Sequence, residues 1–450
     1  MGKAIKQTLT EYIGMVKGQD LRGRLIKDSF RSLLLNGGSK ILSFLIGTFL
    51  VRLMGNDGYG IYSYVFSLAI VLIIPIEFGI STLLLRETSK GLAKEDPATI
   101  AGSWRWSFKG TLLTSIGLLL IGVVVGIIAK PAFEQIEIST YFWGLLLLPL
   151  QALIILINAA LRGLNKVIFG QIPDILITPG VFTILIIVIG YLSKTELTPP
   201  LAMALRVLAT LIAGITSIVL LVKFTPRTII EAKPVYNSKL YLASTLPLIF
   251  SSGINLVRSR TNILVLGFFV NAADIGNFQV ALSTATLASV ILTAINSIIA
   301  PQFATLHANG KQKKLQRLTV LSARFVFILN ILVSAVFIIF GKNLLTLVFG
   351  SKLIAAYPAL VILLIGQIIN SFMGSVNILL NMTGYEKDVM KIMIVTSIVN
   401  ILLTLILAPL AGMVVGAIAA SASMILSQIL MYRIVHKRIG IVSHIFGRIN

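Results

Sequence analysis

The sequence predicts an all-α protein that crosses a membrane about twelve times. Three observations predict this fold class: long apolar stretches, few charges and an alternating distribution of basic loops. Hydrophobic residues make up 56% of the 450 residues, and charged residues only 12%. A helix of about 20 apolar residues spans a bilayer, and about a dozen such stretches follow one another along the chain. A polytopic helical membrane protein is therefore the first expectation.

Each apolar stretch is predicted to form one helix, with a polar or basic loop before the next. The predicted helices cover 33–55, 59–85, 104–129, 140–163, 167–191, 199–222, 241–268, 274–301, 318–341, 355–381, 388–408 and 411–434. A basic tail, 1–32, precedes the first helix, and another, 435–450, follows the last. The segment 223–240, with Pro226 and Pro234, separates the sixth helix from the seventh and is the predicted linker.

Basic residues are concentrated in every second loop. Both tails and the loops 86–109, 223–240 and 306–317 carry several Lys or Arg residues, whereas the intervening loops carry only Lys130, Lys194, Lys342 and Lys352. Cytoplasmic loops of membrane proteins are enriched in these residues. Both termini are therefore predicted to face the cytoplasm from a cell (inner) membrane. This asymmetry accounts for the net charge of +22 without nucleic-acid binding.

Two pairs of similar short segments, which we call echoes, indicate an internal duplication. The segment before helix 2, around Gly60 and Tyr62, matches the segment before helix 8, around Gly276 and Phe278, at one shared offset. A second echo follows helices 4 and 10, where 163–166 resembles 384–387. Six helices separate the copies, so the halves have the same orientation. We predict two six-helix lobes, 33–222 and 241–434, related by a pseudo-twofold axis along the membrane normal.

Signatures of catalysis are absent from the sequence. The three histidines, His307, His436 and His444, lie in predicted cytoplasmic loop or tail, and there is no cysteine. No G-x-x-x-x-G-K-[ST] motif occurs, which argues against ATP-driven transport by this chain alone. We therefore expect neither an enzyme nor a metal or other cofactor.

Charged residues inside the apolar spans are the candidate functional residues. Each costs at least about a few kcal/mol at mid-bilayer unless it faces water or a partner. Helix 7 contains a polar run, 251–262, which is predicted to line a cavity between the lobes. Arg258 is favoured for the cavity because it shares a helix face with Asn255 and Asn262, whereas Arg260 points to a different side.

Helix 1 carries a second polar run, from Asn36 to Lys40. Lys40 has two interpretations: an ion pair with Glu77, or contact with an anionic substrate, in which case Glu77 or Asp174 carries a coupling proton or sodium ion. Arg52, at the outer end of helix 1, and Arg206, in helix 6, either snorkel to the interface or reach the cavity.

These residues resemble the motifs of the polysaccharide (O-antigen-type) lipid-linked oligosaccharide flippases. The similarity is strongest over about residues 30–170, and the order of the motifs is more specific than any one of them. The matching positions are Asn36, then Arg52, Gly55, Tyr59 and Gly60, then Phe78 and Gly79, and finally Asn158 with Leu161-Arg162-Gly163-Leu164-Asn165-Lys166.

The resemblance implies the fold of the multidrug/oligosaccharidyl-lipid/polysaccharide exporter superfamily, in which two six-helix lobes enclose a V-shaped central cavity. It implies that a polyprenyl-pyrophosphate-linked oligosaccharide moves from the cytoplasmic to the outer leaflet by alternating access, for cell-surface polysaccharide assembly. Ion coupling occurs in some members. We expect a monomer among membrane lipids, with a glycan polymerase as a partner. The expected substrate ligands are Arg258, Arg260, Lys40, Arg52, Asn36 and Asn255.

Other functions remain open at this stage. A cation-coupled multidrug exporter of the same superfamily would favour carboxylates and aromatic side chains, whereas the charge excess in these helices is basic. A flippase for the cell-wall precursor lipid is a closer alternative. A membrane scaffold of a glycan synthase would not need polar helix interiors. An enzyme of polysaccharide assembly has no candidate residues in this chain.

Overall fold

The computed structural model describes residues 21–77, 79–128, 137–192, 196–238, 241–242, 245 and 260–448. Within these residues the chain is helical and contains no strand. Nine helices in this part of the chain are long and apolar enough to cross a membrane. The predicted fold class, an all-α polytopic membrane protein, is therefore confirmed.

The first half of the chain contains nine α-helices and two short π-helical segments. The α-helices are α1 Leu21–Leu72, α2 Ile74–Glu77, α3 Ile80–Ala93, α4 Pro97–Ile128, α5 Ile138–Gly163, α6 Val167–Ile172, α7 Thr178–Ile186, α8 Pro199–Phe224 and α9 Arg227–Glu231. The π-helical segments, Pro173–Ile177 and Ile187–Leu192, lie on either side of α7. Helices α6 and α7 and the two π-helical segments together form the predicted fifth span, 167–191.

The second half contains a helical segment at 260–266, which is the described end of a further helix, and six α-helices after it. They are α10 Ala272–Ala308, α11 Gln312–Ile339, α12 Gly341–Phe349, α13 Tyr357–Phe372, α14 Val376–Met382 and α15 Glu386–Ile439. A 3₁₀ turn, Ser351–Ala356, joins α12 to α13. Predicted helix 7, 241–268, lies mostly outside the described residues, so the twelve-helix count and the division into two lobes stay predictions.

Glycines with positive φ bend the two longest helices. α1 contains predicted helix 1 and the first part of predicted helix 2, and it bends at Gly55, where φ is 73°. The apolar span Gly37–Glu77, which includes most of α1 and all of α2, has 41 residues and would be about 60 Å long if straight, roughly twice the thickness of a bilayer core. α15 contains predicted helices 11 and 12 and bends at Gly412, where φ is 56°. Glycine adopts such φ values without the steric cost that a Cβ brings.

Predicted helix 10, 355–381, is wrong as a single helix because the structure divides it into α13 and α14. Gly374, at the break, has a φ of 78°, and a Cβ there would lie 2.8 Å from the carbonyl oxygen of Ser443. Predicted helix 2, 59–85, is likewise interrupted, since Gly79 has a φ of 65° and begins α3. These breaks depend on backbone geometry that the apolar pattern does not reveal.

The two copies of the first echo pack against each other beside the Gly55 bend. A Cβ on Gly60 would lie 1.8 Å from the carbonyl oxygen of Ala272, and a Cβ on Gly276 would lie 2.4 Å from that of Asn56. The echo pairs Asn56 with Ala272 and Gly60 with Gly276, so the two contacts are reciprocal. Such reciprocity is what a local twofold relation between the halves requires, and it supports the duplication.

The two segments of the second echo form the same kind of turn, but the residues that correspond in the structure are not the ones that the sequence match paired. Asn165 and Gly384 both have positive φ, 61° and 87°. The N–H of Lys166 donates to the carbonyl of Leu161 at 2.8 Å, and the N–H of Tyr385 donates to that of Leu380 at 2.9 Å. Asn165 therefore corresponds to Gly384. The sequence match had paired Gly384 with Gly163, two residues away.

The carboxyl-terminal segment 440–448 packs against the second half. Nε of Arg324 donates to the carbonyl of Ile445 at 2.8 Å, and Nη2 donates to that of Gly447 at 3.2 Å. The Gln316 side chain donates to the carbonyl of Val442 at 2.8 Å and accepts from its N–H at 2.9 Å. Residues 440–448 of the predicted basic tail are therefore held against the second half of the chain by these hydrogen bonds.

Replacing Arg324 should loosen this segment. Hydrogen bonds from a charged group contribute about 1.5–3 kcal/mol each, so Arg324→Gln should speed amide hydrogen exchange in 440–448 by about tenfold or more. Hydrogen exchange with mass spectrometry of the detergent-solubilised protein measures this. Arg317→Gln, an exposed position on the same helix, is the control. Equal exchange in both variants would contradict the proposed anchoring.

Candidate functional site

Two arginines from opposite halves of the chain lie against one aromatic ring. The guanidinium carbon Cζ of Arg206, on α8, is 5.0 Å from the centroid of the Phe66 ring. The Cζ of Arg260 is 5.4 Å from the same centroid. Arg206 also lies over Phe182, with Cζ 5.2 Å from that centroid. Cations are attracted to the faces of aromatic rings at these distances.

The aromatic side chains that hold the arginines come largely from one face of α1. Tyr59, Tyr62 and Phe66 are three and four residues apart, so they share a helix face. Tyr62 stacks on Phe66 with centroids 6.0 Å apart and on Phe182 at 6.2 Å. This stack fixes the rings, and therefore the positions at which guanidinium groups find a π-face.

The arginines and these rings enclose a cavity of about 140 Å³, which we name the arginine cavity. Among the described residues, neither Arg206 nor Arg260 has a carboxylate within ion-pair distance, and the ion pairs found there join Glu87 to Arg86 and Lys90. The cavity is lined by Ser43, Ile46, Gly47, Leu50, Tyr59, Tyr62, Ser63, Phe66, Arg206, Arg260 and Gln279.

Contacts with the aromatic rings offset only part of the free-energy cost of placing the two guanidinium charges within a membrane. A desolvated cation–π contact contributes about 2 kcal/mol, whereas a charge within a bilayer costs at least about 2.5–3.5 kcal/mol. The two guanidinium groups also repel each other across the ring that they share. An anion that contacts both would relieve each of these costs, so the cavity has the electrostatics of an anion site.

Lys40 does not form the ion pair with Glu77 that one interpretation of the sequence required. Its Nζ donates to Oγ1 of Thr293 on α10 at 3.1 Å. The Glu77 carboxylate instead accepts from the Ser81 hydroxyl at 2.5 Å. Lys40 lies one turn of α1 from Ser43, which lines the arginine cavity, but Lys40 itself is not part of that lining.

The second acidic candidate is also held by a neutral partner. The carboxylate of Asp174, in the π-helical segment Pro173–Ile177, accepts from the side-chain amide of Gln151 at 2.8 Å. Asp174 and Glu77 are half-buried, and neither lines the arginine cavity. Their predicted roles in ion coupling stay predictions.

Arg52 makes a helix-capping contact in place of the cavity contact that the sequence indicated. Its Nε donates to the carbonyl of Val348 at 2.6 Å, and its Nη2 donates to that of Leu347. These carbonyls lie in the last turn of α12, where helix carbonyls lack partners within the helix. Arg52 therefore ties the first half of the chain to the second beside the Gly55 bend.

Three predicted ligands remain untested by the structure. Arg258 and Asn255 lie outside the described residues, as does the side chain of Asn36. Arg206 is the functional candidate that sequence reasoning left undecided. It lies seven residues after Pro199, about 10 Å along α8, where snorkelling to the interface is within reach of an arginine. Its aromatic partners Phe66 and Phe182 come from other helices, so no local pattern reveals them.

Comparison with known proteins identifies the family. A model of the family described as polysaccharide biosynthesis protein matches residues 25–307. A protein of Haloferax volcanii named probable flippase AglR is 29% identical over 181 residues, which is 39% of this chain and 37% of that protein. A second Haloferax volcanii protein, named probable low-salt glycan biosynthesis flippase Agl15, is 22% identical over 417 residues, covering 90% of this chain and 82% of that one.

Solved structures share the fold. An inward-facing multidrug resistance MATE transporter of the MOP superfamily superimposes with a TM-score of 0.73, over 89% of this chain and 94% of that one. The lipid II flippase MurJ, in an inward closed conformation, gives a TM-score of 0.67 over 89% and 86%. Each is 12% identical to this chain, so the likeness concerns the fold. Because the family model matches more than half of the chain and confirms the resemblance of its motifs, this protein belongs to the polysaccharide biosynthesis protein family.

Proposed function

We propose that the protein is a flippase that moves a polyprenyl-pyrophosphate-linked oligosaccharide from the cytoplasmic to the outer leaflet. One observation carries this proposal: Arg206 and Arg260 flank one ring, and no carboxylate among the described residues neutralises them. Pyrophosphate is a multivalent anion, and arginine binds phosphate oxygens through two parallel hydrogen bonds. The printed names of both Haloferax relatives support a flippase.

The same observation disfavours the multidrug exporter. An organic cation needs a carboxylate or an open aromatic face, but the arginine cavity has no carboxylate in its lining, and its Phe66 ring already faces two guanidinium groups. Electrostatic repulsion would exclude a second cation. The arginine cavity of this chain therefore favours an anion over an organic cation.

The size of the cavity fits a head group. Its volume, about 140 Å³, is below the roughly 300–1,000 Å³ of pockets that enclose a drug-sized ligand. A pyrophosphate group is small enough for it, whereas an oligosaccharide is not. We infer that the polyprenyl tail remains in the lipid while the arginines hold the pyrophosphate.

We infer further that the protein works by alternating access. Arg52, Asn56, Gly60 and Gly276 join the two halves beside the Gly55 bend, on the face predicted to be outer. Their contacts close that face, so the substrate would enter from the cytoplasmic side. The proposed protein is a monomer of the cell membrane with both termini in the cytoplasm, and it supplies a glycan polymerase.

Removing either arginine should prevent translocation. Charge-assisted hydrogen bonds contribute about 1.5–3 kcal/mol each, so Arg206→Ala and Arg260→Ala should each lower the initial rate by about tenfold or more. Lysine at either position should restore part of the rate, because it keeps the charge but loses the paired hydrogen bonds. The assay is leaflet translocation of a short polyprenyl-pyrophosphate oligosaccharide in proteoliposomes.

The matched control for these substitutions is Arg317→Ala, which removes an exposed arginine of α11. Its rate should remain within about twofold of wild type, as for most surface substitutions. A wild-type rate in the double variant Arg206→Ala, Arg260→Ala would reject the arginine cavity as the head-group site.

Cross-linking the two halves of the chain at the contact beside the Gly55 bend should stop translocation. The side-chain amide of Asn56 donates to the Oδ1 of Asn277 at 3.0 Å, and the chain has no cysteine of its own. A short thiol cross-linker should therefore join the pair Asn56→Cys, Asn277→Cys efficiently and abolish translocation, and a cleavable linker should allow recovery after reduction. Each single variant treated with the same reagent is the control. Full transport by the cross-linked protein would contradict alternating access at this contact.

The two acidic residues define a test of ion coupling. If Glu77 or Asp174 carries the coupling ion, Glu77→Gln or Asp174→Asn should abolish the dependence of the transport rate on a proton or sodium gradient. Each amide keeps the size of the side chain and a hydrogen-bonding oxygen, so packing is preserved. Transport by proteoliposomes with imposed gradients measures the dependence. Unchanged gradient dependence in both variants would remove both residues from the coupling proposal.

A further inference from the structure

We propose that a second cavity, in the second half of the chain, binds the glycan part of the substrate. This inference rests on the proposed function. The second cavity has a volume of about 320 Å³, more than twice that of the arginine cavity. We name it the amide cavity because its lining includes three asparagines and a glutamine. It is lined by Leu292, Thr293, Asn296, Asn370, Gly374, Ser375, Asn377, Ile378, Met424, Ser427, Gln428 and Met431.

The chemistry of this lining matches sugar hydroxyls. No lining residue is charged, and the Lys40 ammonium contacts the lining only through the hydroxyl of Thr293. The rest of the lining is neutral, either polar or apolar. Side-chain amides offer both donors and acceptors, as do the hydroxyls of a sugar. Leu292, Ile378, Met424 and Met431 supply apolar surface, which suits the C–H faces of sugar rings. An uncharged ligand rich in hydroxyl groups therefore fits this cavity best.

Part of the polar lining is unsatisfied within the described residues. The Gln428 amide donates to Oδ1 of Asn370, and the Ser375 hydroxyl donates to Oδ1 of Asn296. The other polar atom of Gln428, Oε1, is buried and has no hydrogen-bond partner there. An unsatisfied buried acceptor costs about 1–3 kcal/mol. Rotation of the Gln428 side chain would expose Oε1 to the cavity, where a hydroxyl donor from a bound sugar would remove that cost.

A polar stripe on α10 connects the two cavities. Gln279, Ser283, Thr286 and Thr293 share one face of this helix. Gln279 lines the arginine cavity and Thr293 lines the amide cavity, about 21 Å further along the helix. Lys40, on α1, lies between the two cavities. It contacts Thr293, which lines the amide cavity, and it is one turn of helix from Ser43, which lines the arginine cavity. A glycan attached to a pyrophosphate at the arginines can therefore extend along this face.

The inference predicts that the amide cavity matters only for substrates with enough sugars to reach it. The test compares two polyprenyl-pyrophosphate substrates, one carrying a single sugar and one carrying the oligosaccharide that the wild type moves. The variant is Asn370→Leu, Gln428→Leu, which replaces both partners of one hydrogen bond and also removes the donor that Asn370 offers to Gln367, so its folding is checked with the single-sugar substrate. Translocation of the oligosaccharide substrate should fall about tenfold or more, while that of the single-sugar substrate should stay within about twofold.

Asn343→Leu is the matched control, because it removes an exposed amide on α12 that lines neither cavity. It should leave both rates unchanged. Equal loss for both substrates in the double variant, or loss for neither, would overturn the glycan assignment. Retained movement of the single-sugar substrate would also show that the variant folds and binds the head group.

Thiol protection separates failure of this inference from failure of the proposed function. In an otherwise cysteine-free chain, Ser43→Cys reports on the arginine cavity and Asn377→Cys on the amide cavity. Inorganic pyrophosphate should slow modification of the first cysteine only. The glycan released from the substrate by mild acid should slow modification of the second only. Absence of glycan protection at position 377 would reject the glycan site, whereas absence of pyrophosphate protection at position 43 would reject the head-group site.

Discussion

Two positive charges that have no carboxylate partner among the described residues, held inside a helical membrane bundle, are the constraint on which the rest of this structure depends. Water and counter-ions satisfy arginines in solution, but within a bilayer each charge needs a partner or an aqueous cavity. Here the Phe66 ring supplies a partial partner to Arg206 and Arg260, and stacking on Tyr62 and Phe182 fixes the rings. The protein therefore keeps a site that is incompletely neutralised, which is the property that an anionic ligand requires.

The acidic residues of the spans support this interpretation by their positions. Glu77 and Asp174 are satisfied by Ser81 and Gln151, which are neutral partners, and neither lines the arginine cavity. Had either carboxylate paired with Arg206 or Arg260, the pair would have been nearly neutral and would compete with a phosphate for the guanidinium group. Separation of the acids from the arginines keeps these two carboxylates from competing with the proposed anionic ligand.

The sequence predicted what depends on local pattern and missed what depends on distant contacts. Membrane crossing and the breaks at Gly55 and Gly412 follow from apolar runs and short polar or glycine-containing connections. The break at Gly374 was missed because it is fixed by Ser443, far away in the chain. Arg52 was placed in the cavity because nothing nearby reveals its partners on α12. The arginine cavity itself was not predicted correctly: Arg260 was named as a ligand but was expected to point away from the cavity, whereas it lines it, and Arg206 was ambiguous so close to the start of α8.

The position of the arginines also explains how substrate binding would drive the proposed cycle. Arg206 belongs to the first half of the chain and Arg260 to the second, so a pyrophosphate that contacts both connects the halves. A ligand shifts a conformational equilibrium only through a difference in its affinity for the two states. Any motion that separates Arg206 from Arg260 weakens that bridge, whereas motion that brings them together strengthens it.

The reciprocal contacts of Gly60 and Gly276 lie beside the same interface, so opening there must break two equivalent contacts together. Substrate binding and the closed contact therefore act on one and the same relative movement of the halves.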